Sequence, residues 1–265
     1  MFVFILIANV ANTMSLMFHR FDYGYDSVRI DQLSVSSERN LIFALMKSLP
    51  LSLSGVALGI ALAAADYHVD WKVALLLLMT VTFLHLYSVT GKAGNSLSAT
   101  RVFLIATIVS GLAMLNFSFG TIFLMEPLVL LASGYMIIRA VRHTEFVSRG
   151  KGVFYILLLF GFLAVFGTYY ICSHSFGSWP LLLPALSTGL LSVAARTEES
   201  RKTLRFAMTS AGWMAMISYA CLRMFDPWHF LFLLSLPLFF IKRFSDWSVF
   251  AFSVLTGLGF VVYLM

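Results

Sequence analysis

Long apolar runs alternate with short polar interruptions along this chain, and the runs set the architecture it can adopt. A membrane-crossing helix needs about 20 mainly apolar residues. Nine runs meet or approach that length: 41–65, 72–90, 102–119, 121–140, 153–172, 180–195, 206–224, 229–241 and 248–265. The eighth is short and carries Pro237, which predicts a kink or an extension across Trp228. A further apolar segment, Met1–Phe18, precedes a polar stretch from His19 to Asn40. It has no basic leader and no small-residue cleavage site, so it makes a poor signal peptide. Asn9, Asn12, Thr13 and Ser15 weaken it as a span, which leaves a tenth helix, an interfacial helix or a misplaced start open. The expected fold is all-α: a polytopic membrane helix bundle over 41–265, with 1–40 as an N-terminal hydrophobic segment and polar linker.

Composition narrows this to one class. Of 265 residues, 60% are hydrophobic and 11% charged, with a mean hydropathy of +0.90. Soluble domains carry about 25% charged residues, so the chain reads as an integral membrane protein. The net charge of +6 then bears on topology rather than on nucleic acid. Twelve Lys and Arg residues fall after even-numbered runs: Lys92 and Arg101; Arg139, Arg142, Arg149 and Lys151; Arg196, Arg201, Lys202 and Arg205; Lys242 and Arg243. The opposite face offers Lys72 and Arg223. The positive-inside rule puts the twelve in the cytoplasm, and a bacterial inner membrane is the expected setting. Trp71, Trp179, Trp228 and Trp247 fall at run ends, where indoles anchor in headgroups. Cys172 and Cys221 lie inside apolar runs and form no disulfide or zinc framework.

Candidate chemistry gathers on the basic face. The stretch 194–205 holds Arg196, Glu198, Glu199, Arg201, Lys202 and Arg205, the densest charge in the chain. Basic side chains beside helix N-termini suit phosphate or diphosphate, while the same residues could serve only topology and contact with anionic lipid. The acids on that face are Glu145, Glu198, Glu199 and Asp246. At bilayer depth, His85 reads as a packing histidine held by a hydrogen bond. Lys47 snorkels or meets an acidic headgroup, and Glu126, ahead of Pro127, reaches either headgroups or a site. Asp22 and Asp26 make a weak cation pair. The sequence has no zinc cluster, nucleophile elbow, phosphate loop or dinucleotide fingerprint.

Several stretches resemble one family. Lys47-Ser-Leu-Pro-Leu-Ser-Leu-Ser-Gly55, Arg149-Gly-Lys-Gly152, Phe160-Gly161, Gly167-Thr-Tyr-Tyr170 and Arg201-Lys-Thr-Leu204 resemble the 1,4-dihydroxy-2-naphthoate polyprenyltransferases of the UbiA superfamily of intramembrane prenyltransferases, which act in menaquinone biosynthesis. The resemblance covers roughly residues 45–265 and implies a nine-helix bundle. It also implies two Asp-rich motifs, after spans two and six, that hold Mg²⁺ against a polyprenyl diphosphate while its allylic cation attacks an aromatic acid.

The chain departs from the family at both motifs. The first, normally Asn-x-x-Asn-Asp-x-x-x-Asp, aligns with Val89-Thr-Gly-Lys-Ala-Gly-Asn-Ser96, which has no carboxylate. The second aligns with Ser192-Val-Ala-Ala-Arg-Thr-Glu-Glu-Ser200, where Glu198 and Glu199 are the sole acids. The resemblance therefore implies Lys92, Arg196, Arg201 and Lys202 as diphosphate ligands, Lys47 for the aromatic acid, and Glu198 and Glu199 as the remaining metal-facing groups. It implies Mg²⁺ as cofactor where activity survives. The missing carboxylates predict an impaired enzyme, or pseudoenzyme, that binds a prenyl diphosphate or quinone-like lipid. The alternative is a non-catalytic lipid-binding or scaffold subunit with a membrane protein partner. No nucleic acid partner is expected.

Overall fold

A computed structural model describes residues 38–92, 97–120, 156–175, 177–197, 202–223, 226–240 and 245–262. They form eight helices in chain order: α1 (Glu38–Asp66), α2 (Trp71–Lys92), α3 (Leu97–Phe119), α4 (Leu157–Ser173), α5 (Leu182–Arg196), α6 (Lys202–Leu222), α7 (Leu236–Phe240) and α8 (Ser245–Val262). A 3₁₀ helix over Pro227–Ser235 leads into α7, and α4 is π-wound over Leu157–Gly167 before turning α-helical. Each expected run except the fourth coincides with one of these helices; the run 121–140, with Glu126, lies outside the described residues, as do Met1–Phe18, Asp22 and Asp26. Three stretches, Leu49–Asp66, Trp71–Ser88 and Thr100–Phe119, are long and apolar enough to cross a membrane.

Why helices and no strand among the described residues follows from the surroundings. In lipid every backbone polar group must be satisfied within the segment. Hydroxyls inside the helices obey the same demand by turning back on their own helix. Thr82 donates to Leu78, Thr107 to Phe103, Ser192 to Thr188 and Thr256 to Phe252, each four residues back and 2.7–2.8 Å away. Such residues read as polar in sequence and cost little in an apolar bundle.

The eighth run does extend across Trp228. Its first nine residues rise as a 3₁₀ helix, at about 2.0 Å per residue against about 1.5 Å in an α-helix, so a short apolar run covers more depth. Asp226 caps it, its Oδ1 accepting from the Trp228 backbone N–H at 2.9 Å. Pro237 sits in the first turn of α7, where its missing N–H is tolerated.

Helix α1 is the hub. It packs along α8 and also meets α2, α4 and α5, while α5 lies between α4 and α6, and α3 packs on α2. Small residues set these approaches. A Cβ built on Gly55 would lie 2.5 Å from the Phe160 carbonyl oxygen, and one on Gly161 would lie 2.5 Å from that of Ala185. Lipid tails are as apolar as leucine, so close backbone contact substitutes for the missing hydrophobic drive. The resembling stretches around Pro50–Gly55 and Phe160-Gly161 are therefore the seams of the bundle.

The ends opposite the basic loops are tied by polar bonds. Arg223, just past α6, pairs with Asp66 at the end of α1, Nη2 to Oδ2 at 2.7 Å. The Tyr169 hydroxyl, buried on α4, donates to the same oxygen at 2.8 Å. Arg223 Nε donates in turn to the Tyr219 hydroxyl at 3.2 Å. Three helices thus converge on one carboxylate, and Tyr169 belongs to the Gly-Thr-Tyr-Tyr stretch.

Candidate functional site

Chain direction brings the ends of α2, α5 and α7 and the starts of α3, α6 and α8 to one end of the bundle. This is the basic end anticipated from the loops. Lys92 closes α2, Arg196 closes α5, and Lys202 opens α6 as an exposed residue. Lys47 falls in α1, whose Glu38 end also belongs here. Arg201, Glu198 and Glu199 lie outside the described residues. The helix termini that carry Lys92, Arg196 and Lys202 thus lie at the same end of the bundle.

Several local contacts shape this face. Thr197 caps α5 from a buried position, its hydroxyl donating to the Val193 carbonyl at 2.8 Å. Thr197 itself is extended, at φ −73° and ψ 134°, so α5 ends there. Arg205, one turn into α6, is half-buried and makes a long hydrogen bond to the Phe239 carbonyl at 3.5 Å. It therefore ties α6 to α7 and is less available to an anion than Lys202. Asp246, in the first turn of α8, is 7% exposed. A carboxylate near a helix N-terminus is stabilised there by the macrodipole. Sequence reasoning counted Asp246 only as one acid among four; nothing in its apolar neighbours signalled its burial.

Deeper in the bundle, His85 on α2 and Ser52 on α1 share a hydrogen bond of 2.9 Å between Nδ1 and Oγ. His85 behaves as expected of a packing histidine, and its partner comes from the Leu-Pro-Leu-Ser stretch. Nearby Ser54 is fully buried and donates to the Leu51 carbonyl at 2.7 Å, beside a proline that removes one helical donor. Interhelical side-chain hydrogen bonds in membranes contribute about 0.6 kcal/mol on average. The coupling between His85→Phe and Ser52→Ala, read from thermal unfolding of the single and double variants in detergent, is accordingly expected to be about 0.5–1 kcal/mol. No coupling between the two substitutions would rule out the Ser52–His85 bond as a stabilising contact.

Among the described residues, no group of three or more His, Cys, Asp or Glu side chains is placed to hold a metal ion. The exposed Trp71, Trp179, Trp228 and Trp247 ring the helix ends, whereas Trp213 is buried among Phe232, Phe239 and Phe252. Cys172 and Cys221 are free thiols.

No family model matches the chain. No solved structure matches it either. Over 246 residues it is 28% identical to the 1,4-dihydroxy-2-naphthoate octaprenyltransferase of Escherichia coli (strain K12), a match covering 72% of this chain and 79% of that enzyme. Its apolar helices and this likeness together mark the chain as an integral membrane protein similar to a UbiA-type prenyltransferase.

Proposed function

We propose that this protein is a UbiA-type relative that binds a polyprenyl diphosphate or quinone-like lipid at its basic end and transfers prenyl groups poorly or not at all. The likeness to an octaprenyltransferase supports the substrate class. The loops after runs two, four, six and eight face the cytoplasm of a bacterial cell in this reading. Lys92, Arg196, Arg201 and Lys202 grip the phosphates, and Lys47 orients an aromatic acid where one is used.

One observation carries the impairment. Residues 89–96 contain no Asp or Glu, and 192–200 contain only Glu198 and Glu199. Mg²⁺ demands oxygen ligands in near-octahedral geometry, and this donor set does not fit two such ions. Without them, ionisation of the allylic diphosphate lacks its main source of charge stabilisation. The Lys and Arg side chains still favour the anion, so binding outlives catalysis.

The experiment is binding of a labelled polyprenyl diphosphate to purified protein with Mg²⁺ and with a chelator. Affinity is expected to change less than about threefold on chelation, and to fall about tenfold, or about 1.4 kcal/mol, in Arg201→Ala plus Lys202→Ala. Prenyl transfer with Mg²⁺ is expected near background. Robust turnover that survives Glu198→Ala plus Glu199→Ala would sink the site assignment. A second reading, a non-catalytic membrane subunit, is favoured by the fact that the family-like stretches around Pro50–Gly55 and Phe160-Gly161 serve packing. It predicts a membrane partner that co-purifies and no saturable diphosphate binding.

A further inference from the structure

The opposite end of the bundle holds a shallow depression, open to its surroundings, of about 520 Å³ and lined by Asp66, Tyr67, Tyr169, Ser175, Gly177, Ser178 and Arg223. It lies among the helix ends that carry Trp71 and Trp179, 68% and 67% exposed, which places it at headgroup depth. Ligand pockets of this volume are ordinarily apolar with few polar groups. This one is built around an ion pair, two phenols and two hydroxyls.

The ion pair is only half used. Asp66 directs a single oxygen, Oδ2, at both Tyr169 and Arg223. Arg223 answers with Nη2 and gives Nε to Tyr219. Among the described residues, Asp66 Oδ1 and Arg223 Nη1 make no hydrogen bond. A bidentate Arg–carboxylate pair would consume both. Here one acceptor and one donor of opposite charge are left over on two residues that both line the depression.

Charge balance selects the ligand. The charged residues described at this end are Asp66, Asp70 and Asp226 against Lys72 and Arg223. A net anion is therefore not drawn to this end as it is to the basic one, whereas a zwitterion meets both members of the pair. Tyr67, which meets Tyr169 edge-on at 6.2 Å, adds an aromatic ring suited to a cation.

We propose that this depression binds a compact zwitterion bearing an ammonium and a phosphate, with the ammonium on Asp66 and the phosphate on Arg223. Phosphatidylethanolamine is its membrane-borne form and glycerophosphoethanolamine its soluble one. The ammonium donates N–H bonds to the carboxylate, which a trimethylated choline cannot do. The site is separate from the prenyl diphosphate reading and stands or falls without it.

The test is native mass spectrometry of the full chain taken from mixed micelles holding equal amounts of phosphatidylethanolamine, phosphatidylcholine and phosphatidylglycerol. Phosphatidylethanolamine is expected to be retained at least tenfold over the other two. Ser178 is exposed and its side chain caps nothing, so Ser178→Phe obstructs the depression while sparing the ion pair. It should abolish the preference with no change in melting temperature, and Asp66→Asn should abolish it too. Loss of the preference on adding soluble glycerophosphoethanolamine would show that headgroup chemistry suffices whatever its source, while resistance would assign the site to the lipid. Equal retention of the three lipids, or a preference untouched by Ser178→Phe, overturns the proposal.

Discussion

Gly161→Val is expected to leave no stably folded bundle, because the side chain has nowhere to go. A Cβ at this position would stand 2.5 Å from the Ala185 carbonyl oxygen and 3.0 Å from the Gly189 Cα. Both obstacles are backbone, so no rotamer change relieves them, and α4 must move off α5. Overpacking a filled core costs about 1–3 kcal/mol. Close approach is itself the attraction between membrane helices, so separation also forfeits the contacts of the whole seam. Gly161→Ala should lose about 2–3 kcal/mol, and valine more. Gly167, six residues along the same helix, has nothing within 4 Å of its built Cβ. Gly167→Ala should therefore be neutral or stabilise by up to about 1 kcal/mol through helix propensity. Unfolding in mixed micelles measures both, and equal stabilities for the two alanine variants would rule out the tight α4–α5 contact.

The second large effect is at Asp66, where two losses compete in size. Asp66→Ala takes away the acceptor of the Tyr169 hydroxyl, a residue 1% exposed, and a buried donor without a partner costs about 1–3 kcal/mol. It also breaks the pair with Arg223, whose side chain is 35% exposed. Solvent screening holds such pairs to about 1 kcal/mol or less. The hydroxyl thus dominates, and the total loss should be about 2–3 kcal/mol. Asp66→Asn, which retains an acceptor oxygen, should lose only about 1 kcal/mol. Chemical denaturation of single and double variants separates the two parts: the Asp66–Tyr169 coupling should exceed the Asp66–Arg223 coupling. The reverse order would mean that the ion pair is better shielded than its exposure indicates.

The candidate sites were legible in unequal measure. The basic end could be anticipated, because Lys and Arg positions between apolar runs define a face before any helix is packed. His85 was also legible as a packing residue, since a lone histidine in an apolar run needs a nearby partner; which partner was not. The Asp66, Tyr169 and Arg223 cluster escaped sequence reasoning. Its members are 103 and 157 positions apart, and each is unremarked on its own: an acid at a run end, a tyrosine in a family-like stretch, an arginine counted only for topology. Their shared placement at alternate run ends was the one available signal.

What the sequence by itself determined is the class and the frame: apolar runs of span length, interrupted at intervals, can satisfy their backbone in lipid only as helices. It also held the uneven spread of Lys and Arg between the runs, since this needs no coordinates. The tertiary structure alone decided which helices touch. Hydropathy is nearly uniform around α2 and α3, so there it does not say which face meets a neighbour. That choice is made by small residues such as Gly55 and Gly161, whose bare backbones let carbonyls of α4 and α5 approach. The resulting packing brings the ends of α1, α4 and α6 together. Only then do Asp66, Tyr169 and Arg223 become one group with a depression beside it.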